Sequence, residues 1–263
     1  MRLGILFLVL TLTLASCANM QPTEEPVLQP APVLEDLQVS RQFLELGNET
    51  AEIEGKPIAY LSVIAFPLPP TGALRQRNEM ICAAFIEMFK PVATLQSDDI
   101  DLDRQVVTVW PVEDQQDGNK LETRVADGED IQKICAEAVE VYDAEAGDDA
   151  LADAAAYFES RGKPDIAARI DAPVQDGPWL LGWAPGAGKG NTSDEVLVLA
   201  FDLSHVDTRR EAERVFQAYN HVVERKPELW RKARISNASW ADVIIRFAND
   251  IGRDLAFYER MTK

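Results

Sequence analysis

The sequence is short of the residues that most often identify a function. Only three cysteines and two histidines occur among its 263 residues, and 44 acidic residues outnumber 26 lysines and arginines. No H-E-x-x-H or C-x-x-C spacing is present to suggest a metal site, and three cysteines are too few for a disulfide-framed miniprotein. The formal net charge of -18 disfavours nucleic-acid binding, because such a chain repels a phosphate backbone.

Long apolar runs are also missing beyond the N-terminus, which excludes a polytopic membrane protein. The chain does have enough apolar material for a sizeable core, since 46% of its residues are hydrophobic and 27% are charged. Its composition becomes globular from residue 36 and no second linker follows. We therefore predict a single domain over residues 36–263.

The N-terminal residues carry the most specific pattern of the chain. An apolar stretch over residues 3–14 is too short to span the ~30 Å core of a bilayer as a stable helix. It leads directly into Leu14-Ala15-Ser16-Cys17, an aliphatic residue and two small residues followed by cysteine. This pattern resembles the lipobox of bacterial lipoproteins, in which small residues fit the signal peptidase cleft and the cysteine thiol accepts diacylglycerol.

The resemblance implies that residues 1–16 are a signal peptide and that Cys17 becomes the lipidated, palmitate-bearing first residue. Such an anchor holds an otherwise soluble protein on a membrane. Lipoproteins that are retained in the inner membrane often have Asp after the lipidated cysteine. Because Ala18 stands there in this chain, the resemblance implies the outer membrane rather than the inner, with the domain facing the periplasm. Residues 17–35 contain four prolines and are predicted to form an extended tether. The alternative is an ordinary secretory signal that contains a cysteine.

The mature chain would keep two further cysteines, Cys82 and Cys135. An even number of cysteines in the oxidising periplasm favours a disulfide between them. The alternative is two separate buried thiols, which behave as small hydrophobic side chains. Neither cysteine belongs to a C-x-x-C motif or has an evident electropositive context, which disfavours a catalytic thiol.

Hydrophobic periodicity predicts an α+β fold. Helices are predicted over residues 37–46, 71–89, 131–142, 151–158 and 240–258, and from residue 207 or 208 onwards, where Thr208 and Glu211 form a capping box. Strands are predicted over residues 58–66, 105–110, 178–184 and 195–202, with a hairpin turn at Gly55-Lys56. The order of these elements predicts a mixed or antiparallel sheet of about four to five strands, with helices packed on it and a helical C-terminal segment.

Two tryptophans are candidates for a ligand platform. Trp179 and Trp183 lie on one face of their predicted strand, because side chains alternate along a strand. Paired indole rings can stack on sugars, including those of peptidoglycan. The alternative is that both rings fill the core between the sheet and its helices.

Catalytic and nucleotide-binding patterns are weak in this chain. His205 follows a predicted strand and lies near Asp202 and Ser204, but adjacent residues rarely converge on one substrate atom and no G-x-S-x-G elbow is present. The glycine-rich residues 182–190 lack the Ser or Thr of a P-loop and precede a strand rather than a helix. We therefore predict no bound nucleotide, cofactor or metal, and keep His205 only as a weak catalytic candidate.

The charge is unevenly distributed, because residues 209–263 hold 12 basic and 8 acidic residues in an otherwise acidic chain. This basic end either packs beside the acidic body or contacts a partner or anionic lipid. Together the patterns predict a membrane-anchored lipoprotein that acts by binding, as an interaction or envelope-assembly partner, rather than as an enzyme. The alternatives are a sugar- or peptidoglycan-binding module that uses the tryptophan pair, and a hydrolase that uses His205.

Overall fold

The computed structural model describes residues 37–47, 51–66, 72–171, 178–192, 197–204 and 206–225. Within these ranges it shows seven α-helices, a six-stranded mixed sheet and a two-stranded sheet. The predicted α+β class with a mixed sheet is confirmed, although the main sheet has six strands rather than four to five. The lipobox, the tether and the helix predicted over residues 240–258 lie outside the described residues.

The strands and helices of the described ranges follow one another in a mixed order. The strands are β1 (Gln38–Leu44), β2 (Glu52–Ile53), β3 (Lys56–Pro57), β4 (Tyr60–Ala65), β5 (Lys90–Pro91), β6 (Gln105–Pro111), β7 (Trp179–Ala184) and β8 (Leu197–Asp202). The helices are α1 (Ala73–Met88), α2 (Val92–Ser97), α3 (Gln115–Ala126), α4 (Ile131–Glu140), α5 (Ala144–Ser160), α6 (Pro164–Ile170) and α7 (Arg209–Arg225).

The main sheet is parallel on one side and antiparallel on the other. Its strand order is β5-β1-β6-β4-β7-β8, in which β5, β1, β6 and β4 run parallel. Strand β7 is antiparallel to both of its neighbours, β4 and β8. The edge strand β5 consists only of Lys90 and Pro91, which lie opposite Ser40 and Arg41 of β1. The sheet is therefore mixed because the hairpin formed by β7 and β8 adds to a parallel core.

Helices cover the sheet on both sides, which explains the apolar sequence of its central strand. All seven residues of β6 are buried, and a strand buried on both faces has a continuous apolar run rather than an alternating one. Helices α1, α4 and α7 pack together, with α3 and α7 against β1, while α5 and α6 form a second group against β4 and β7. The core therefore lies on both sides of β6 and β4.

The helix predicted over residues 37–46 is wrong, because the structure places strand β1 there. Five of its seven residues are buried, including Ser40 and Arg41, and β1 pairs in parallel with both β5 and β6. Polar residues on a doubly buried strand remove the period-two alternation by which a strand is usually predicted. Tertiary pairing therefore overrides the local pattern.

The predicted hairpin turn is displaced by one residue. Glu54 and Gly55 occupy the turn with φ angles of 53° and 73°, the combination that two-residue hairpin turns of type I′ require. The turn joins the short strands β2 and β3, which form a sheet of their own, rather than leading into β4. Glycine therefore sits at the second turn position, where a positive φ is least costly.

Side chains cap several helices at their first turn. Asp114, Asp130 and Asp143 each accept a hydrogen bond from a backbone N–H at the start of α3, α4 and α5. The capping box predicted before α7 is confirmed: the Glu211 N–H donates to Thr208 Oγ1 at 3.2 Å, and the Thr208 N–H donates to Glu211 Oε2 at 3.1 Å. These contacts satisfy N–H groups that otherwise have no partner within their helices.

Candidate functional site

The predicted disulfide is present and joins two helices. Cys82 of α1 and Cys135 of α4 form a bond of 2.12 Å between their sulfur atoms, with a Cα–Cα distance of 5.6 Å. Both cysteines are fully buried. Because both sulfur atoms are bonded and shielded from solvent, neither cysteine serves as a nucleophile or a metal ligand, and the pair instead cross-links α1 to α4.

The two candidate platform tryptophans are core residues. Trp179 and Trp183 lie two positions from Leu181 and on its side of β7, and each of the two indoles is only 1% exposed. A sugar-stacking platform needs an accessible ring face, and neither ring offers one. The interpretation of Trp179 and Trp183 as a ligand platform is therefore corrected to core packing, which is the usual role of large aromatic side chains.

A row of polar side chains crosses the middle of the sheet, and the sequence did not predict it. Arg41 of β1 pairs with Thr108 of β6, and Thr108 pairs with Ser62 of β4. Residues paired in this way place their side chains on the same face of a sheet. Tyr219 of α7 meets this row, with 2.6 Å between its hydroxyl oxygen and Ser62 Oγ. We call Arg41, Thr108, Ser62 and Tyr219 the polar row.

The positive charge at one end of the polar row is neutralised by α3. The Nη1 group of Arg41 donates to both carboxylate oxygens of Glu122, at 2.9 and 2.7 Å. The Phe43 backbone N–H donates to the same carboxylate at 3.1 Å. The Arg41 guanidinium carbon also lies 6.0 Å or less from the ring centroids of Phe43 and Phe85. Arg41 is 1% exposed, so Glu122 supplies the pairing that a buried charge needs.

The hydroxyl end of the polar row stays protonated. Burial raises the pKa of the Tyr219 phenol well above its usual range, and the Ser62 and Thr108 hydroxyls only partly oppose that rise. Burial likewise raises the pKa of Tyr142. Its hydroxyl donates a hydrogen bond to the Ile64 carbonyl and accepts one from the Phe66 N–H. A neutral phenol does not withdraw a proton from Ser62, so this contact joins α7 to β4 rather than activating a nucleophile.

Tyr219→Phe is expected to lower the free energy of unfolding by about 1–3 kcal/mol, because it leaves the buried Ser62 hydroxyl without this partner. The matched variant Tyr219→Phe with Ser62→Ala is expected to recover much of that loss, since both members of the pair become apolar. Urea denaturation measures both values. A double variant that is less stable than the single one by a full Ser62→Ala increment would contradict this coupling.

The polar groups next to the weak catalytic candidate His205 in the sequence already have hydrogen-bond or ion-pair partners. Asp202, at the end of β8, binds Arg169 through Oδ2 at 2.6 Å and accepts the Ser204 N–H through Oδ1 at 2.8 Å. Arg77 of α1 donates to the Ser204 carbonyl at 3.2 Å, and burial lowers the pKa of Arg77. His205 itself lies outside the described residues. Both carboxylate oxygens of Asp202 therefore bind other groups, and they stabilise the connection that follows β8.

The glycine-rich segment after β7 forms a packed corner. Gly186–Gly188 form a short 3-10 helix, and the Gly186 N–H donates to the Ala59 carbonyl at 2.7 Å. A Cβ at Gly186 would lie 2.4 Å from the Ile58 carbonyl oxygen, so glycine is required for this close approach. Lys189, in the position of a phosphate-binding lysine, pairs with Asp153 at 2.9 Å.

No family model, curated protein or solved structure matches this chain.

The described ranges contain neither a candidate metal site nor a candidate membrane-spanning helix. Across these ranges, no three His, Cys, Asp or Glu side chains are grouped so that they could hold a metal ion. None of the described helices has the length and apolar character needed to cross a bilayer. The polar row, its ion pair and the disulfide are the features that distinguish this core, and each of them fixes the packing of a helix.

Proposed function

We propose that this chain is a bacterial lipoprotein, anchored through Cys17, whose α+β domain faces the periplasm from the outer membrane. The observation that carries the proposal is the placement of Leu14-Ala15-Ser16-Cys17 directly after a short apolar stretch. Each buried CH₂ group of an acyl chain contributes about 0.8 kcal/mol to membrane binding, so two or three chains hold a protein stably. The proline-rich residues 18–35 then serve as a tether.

The disulfide supports export of the chain. Structural disulfides form and persist in oxidising compartments such as the periplasm and are rare in the cytosol. Cys82 and Cys135 are bonded and fully buried in the core. This pairing fits a chain whose third cysteine, Cys17, is modified by the lipid.

We infer that the domain acts by binding an envelope protein rather than by catalysis. Ser62 is buried against a neutral Tyr219, and Asp202 is held by Arg169 and the Ser204 N–H. The most reactive groups of the described core are therefore engaged in structural contacts. The sugar-binding alternative loses its platform with the burial of the tryptophans, and the hydrolase alternative through His205 stays a prediction.

Metabolic labelling with a palmitate analogue tests the anchor. We expect the wild-type protein to carry the label and to fractionate with membranes, while Cys17→Ala leaves it unlabelled and releases it from them. The matched control is Cys82→Ala with Cys135→Ala, which removes the other two cysteines and is expected to leave labelling unchanged. Equal labelling of Cys17→Ala and the wild type would refute the lipoprotein assignment.

Crosslinking in living cells followed by mass spectrometry tests the binding role. We expect the anchored protein to enrich one envelope protein reproducibly, and Cys17→Ala to lose most of that enrichment because it no longer shares the membrane. A wild-type protein that crosslinks to no component above the level of the Cys17→Ala control would count against a binding partner in the envelope.

A further inference from the structure

Helix α7 presents a polar face directly opposite the face that packs on the core. Its buried side chains are Ala212, Val215, Phe216, Tyr219 and Val223. Its exposed side chains include Arg210, Arg214, Gln217, His221 and Glu224. These five positions follow a spacing of three and four residues, so they form one stripe along the helix. We call this stripe the outer face of α7.

The beginning of the outer face carries two arginines that have no carboxylate partner among the described residues. Arg210 and Arg214 are one turn apart and both exposed. Within the described part of the chain, neither of them forms a salt bridge. The adjacent Arg209 differs, because it pairs with Glu87 of α1 and with Glu213 of α7.

The two acidic residues nearest to these arginines, Glu211 and Glu213, are half-buried and bond to Thr208 and Arg209. Glu224 is the single carboxylate of the outer face, and it lies ten residues after Arg214, which is about 15 Å along a helix. Beyond α7, the sequence of residues 226–263 contains eight basic and five acidic residues. This C-terminal end is therefore basic, although the chain as a whole has a net charge of -18.

We propose that the outer face of α7 contacts the anionic phospholipid surface of the membrane to which the chain is anchored. This inference rests on the proposed function, because the anchor and a tether of residues 18–35 keep the domain within about 55 Å of the bilayer. Arginines near an anionic surface are attracted to its headgroups, and a basic patch is a common second signal beside a lipid. The acidic remainder of the domain is repelled by the same surface, which orients α7 towards it.

Vesicle co-sedimentation tests the contact without the lipid anchor. The protein is the chain from residue 17 with Cys17→Ser, and the vesicles contain either phosphatidylglycerol with phosphatidylcholine or phosphatidylcholine alone. We expect binding to the anionic vesicles only, and its loss at ionic strengths well above about 0.1 M, where exposed charges are screened. Arg210→Glu with Arg214→Glu is expected to weaken this binding at least about tenfold. Each basic residue near an anionic surface increases the affinity about fivefold.

A matched control separates this face from net charge alone. Lys56→Glu with Lys133→Glu makes the same change in charge at two exposed lysines on β3 and α4, and we expect it to leave vesicle binding within about twofold of the parent. Arg210→Lys with Arg214→Lys is expected to retain binding. Equal weakening by the arginine and lysine variants, or no preference for anionic vesicles, would overturn the contact.

The anchor and the contact can fail separately in these experiments. Absence of palmitate labelling at Cys17 would refute the proposed function even if the soluble chain binds anionic vesicles. Normal labelling together with no vesicle binding would leave the lipoprotein assignment standing and overturn the assignment of the outer face.

Discussion

Replacing Cys82 and Cys135 together by alanine is expected to lower the free energy of unfolding by about 4 kcal/mol. The two cysteines are 53 residues apart, and a cross-link across a loop of this length removes much of the conformational freedom of the unfolded chain. The effect is a large fraction of the stability of an ordinary domain. Urea or guanidinium denaturation of the chain with Cys17→Ser, with and without the two substitutions, measures it.

The reduced parent protein is the control for this comparison. Reduction also opens the cross-link but keeps the volume of both side chains, so it separates the loss of the bond from any cavity left by alanine. We expect the reduced parent to be destabilised by nearly as much as the double variant. A loss below about 1 kcal/mol in both would show that the cross-link contributes little.

Glu122→Ala is expected to destabilise the fold by about 3–5 kcal/mol, although Glu122 lies on the surface helix α3. The substitution leaves Arg41, which is 1% exposed, as an uncompensated charge beneath the helix. It also removes the acceptor of the Phe43 N–H. Glu122→Gln keeps an acceptor and is expected to fall between the wild type and Glu122→Ala. Chemical denaturation measures the three values.

The double variant Arg41→Met with Glu122→Leu tests the cause of this loss. Replacing both members of a buried ion pair by apolar residues of similar volume often costs little or increases stability. We therefore expect the double variant to be more stable than Glu122→Ala, although it lacks both charges. If it is as unstable as Glu122→Ala, the loss comes from packing around α3 rather than from the unpaired arginine.

The sequence predicts the elements that have a long apolar run or a clear apolar stripe and misses those that have neither. Helix α1 and strand β6 are confirmed because each contains a long apolar run, and Gly72 precedes α1 while Pro111 ends β6. Strand β1 is missed because Ser40 and Arg41 are buried within it, so its pattern does not alternate. Helix α3 is missed for the opposite reason, since Gly118 and Leu121 are its only buried residues and leave almost no apolar stripe.

Some features of the candidate site could be predicted from the sequence and others could not. The disulfide could be predicted, because the even number of remaining cysteines and the oxidising compartment implied by the lipobox resemblance both favour it. The polar row could not, because Thr108 and Ser62 are single polar residues within apolar strands. Local sequence does not show that β6 lies between β1 and β4. Only that strand order places Arg41, Thr108 and Ser62 side by side.

The short edge strand β5 has a consequence for crowding on a membrane. An exposed sheet edge is a template on which strands from other molecules can pair and aggregate. Strand β5 closes its edge with two residues, of which Pro91 has no N–H to donate and Lys90 is charged and exposed. If the chain is anchored as proposed, many copies in one leaflet would meet at high local concentration, and this blocked edge would resist their assembly into continuous intermolecular sheets.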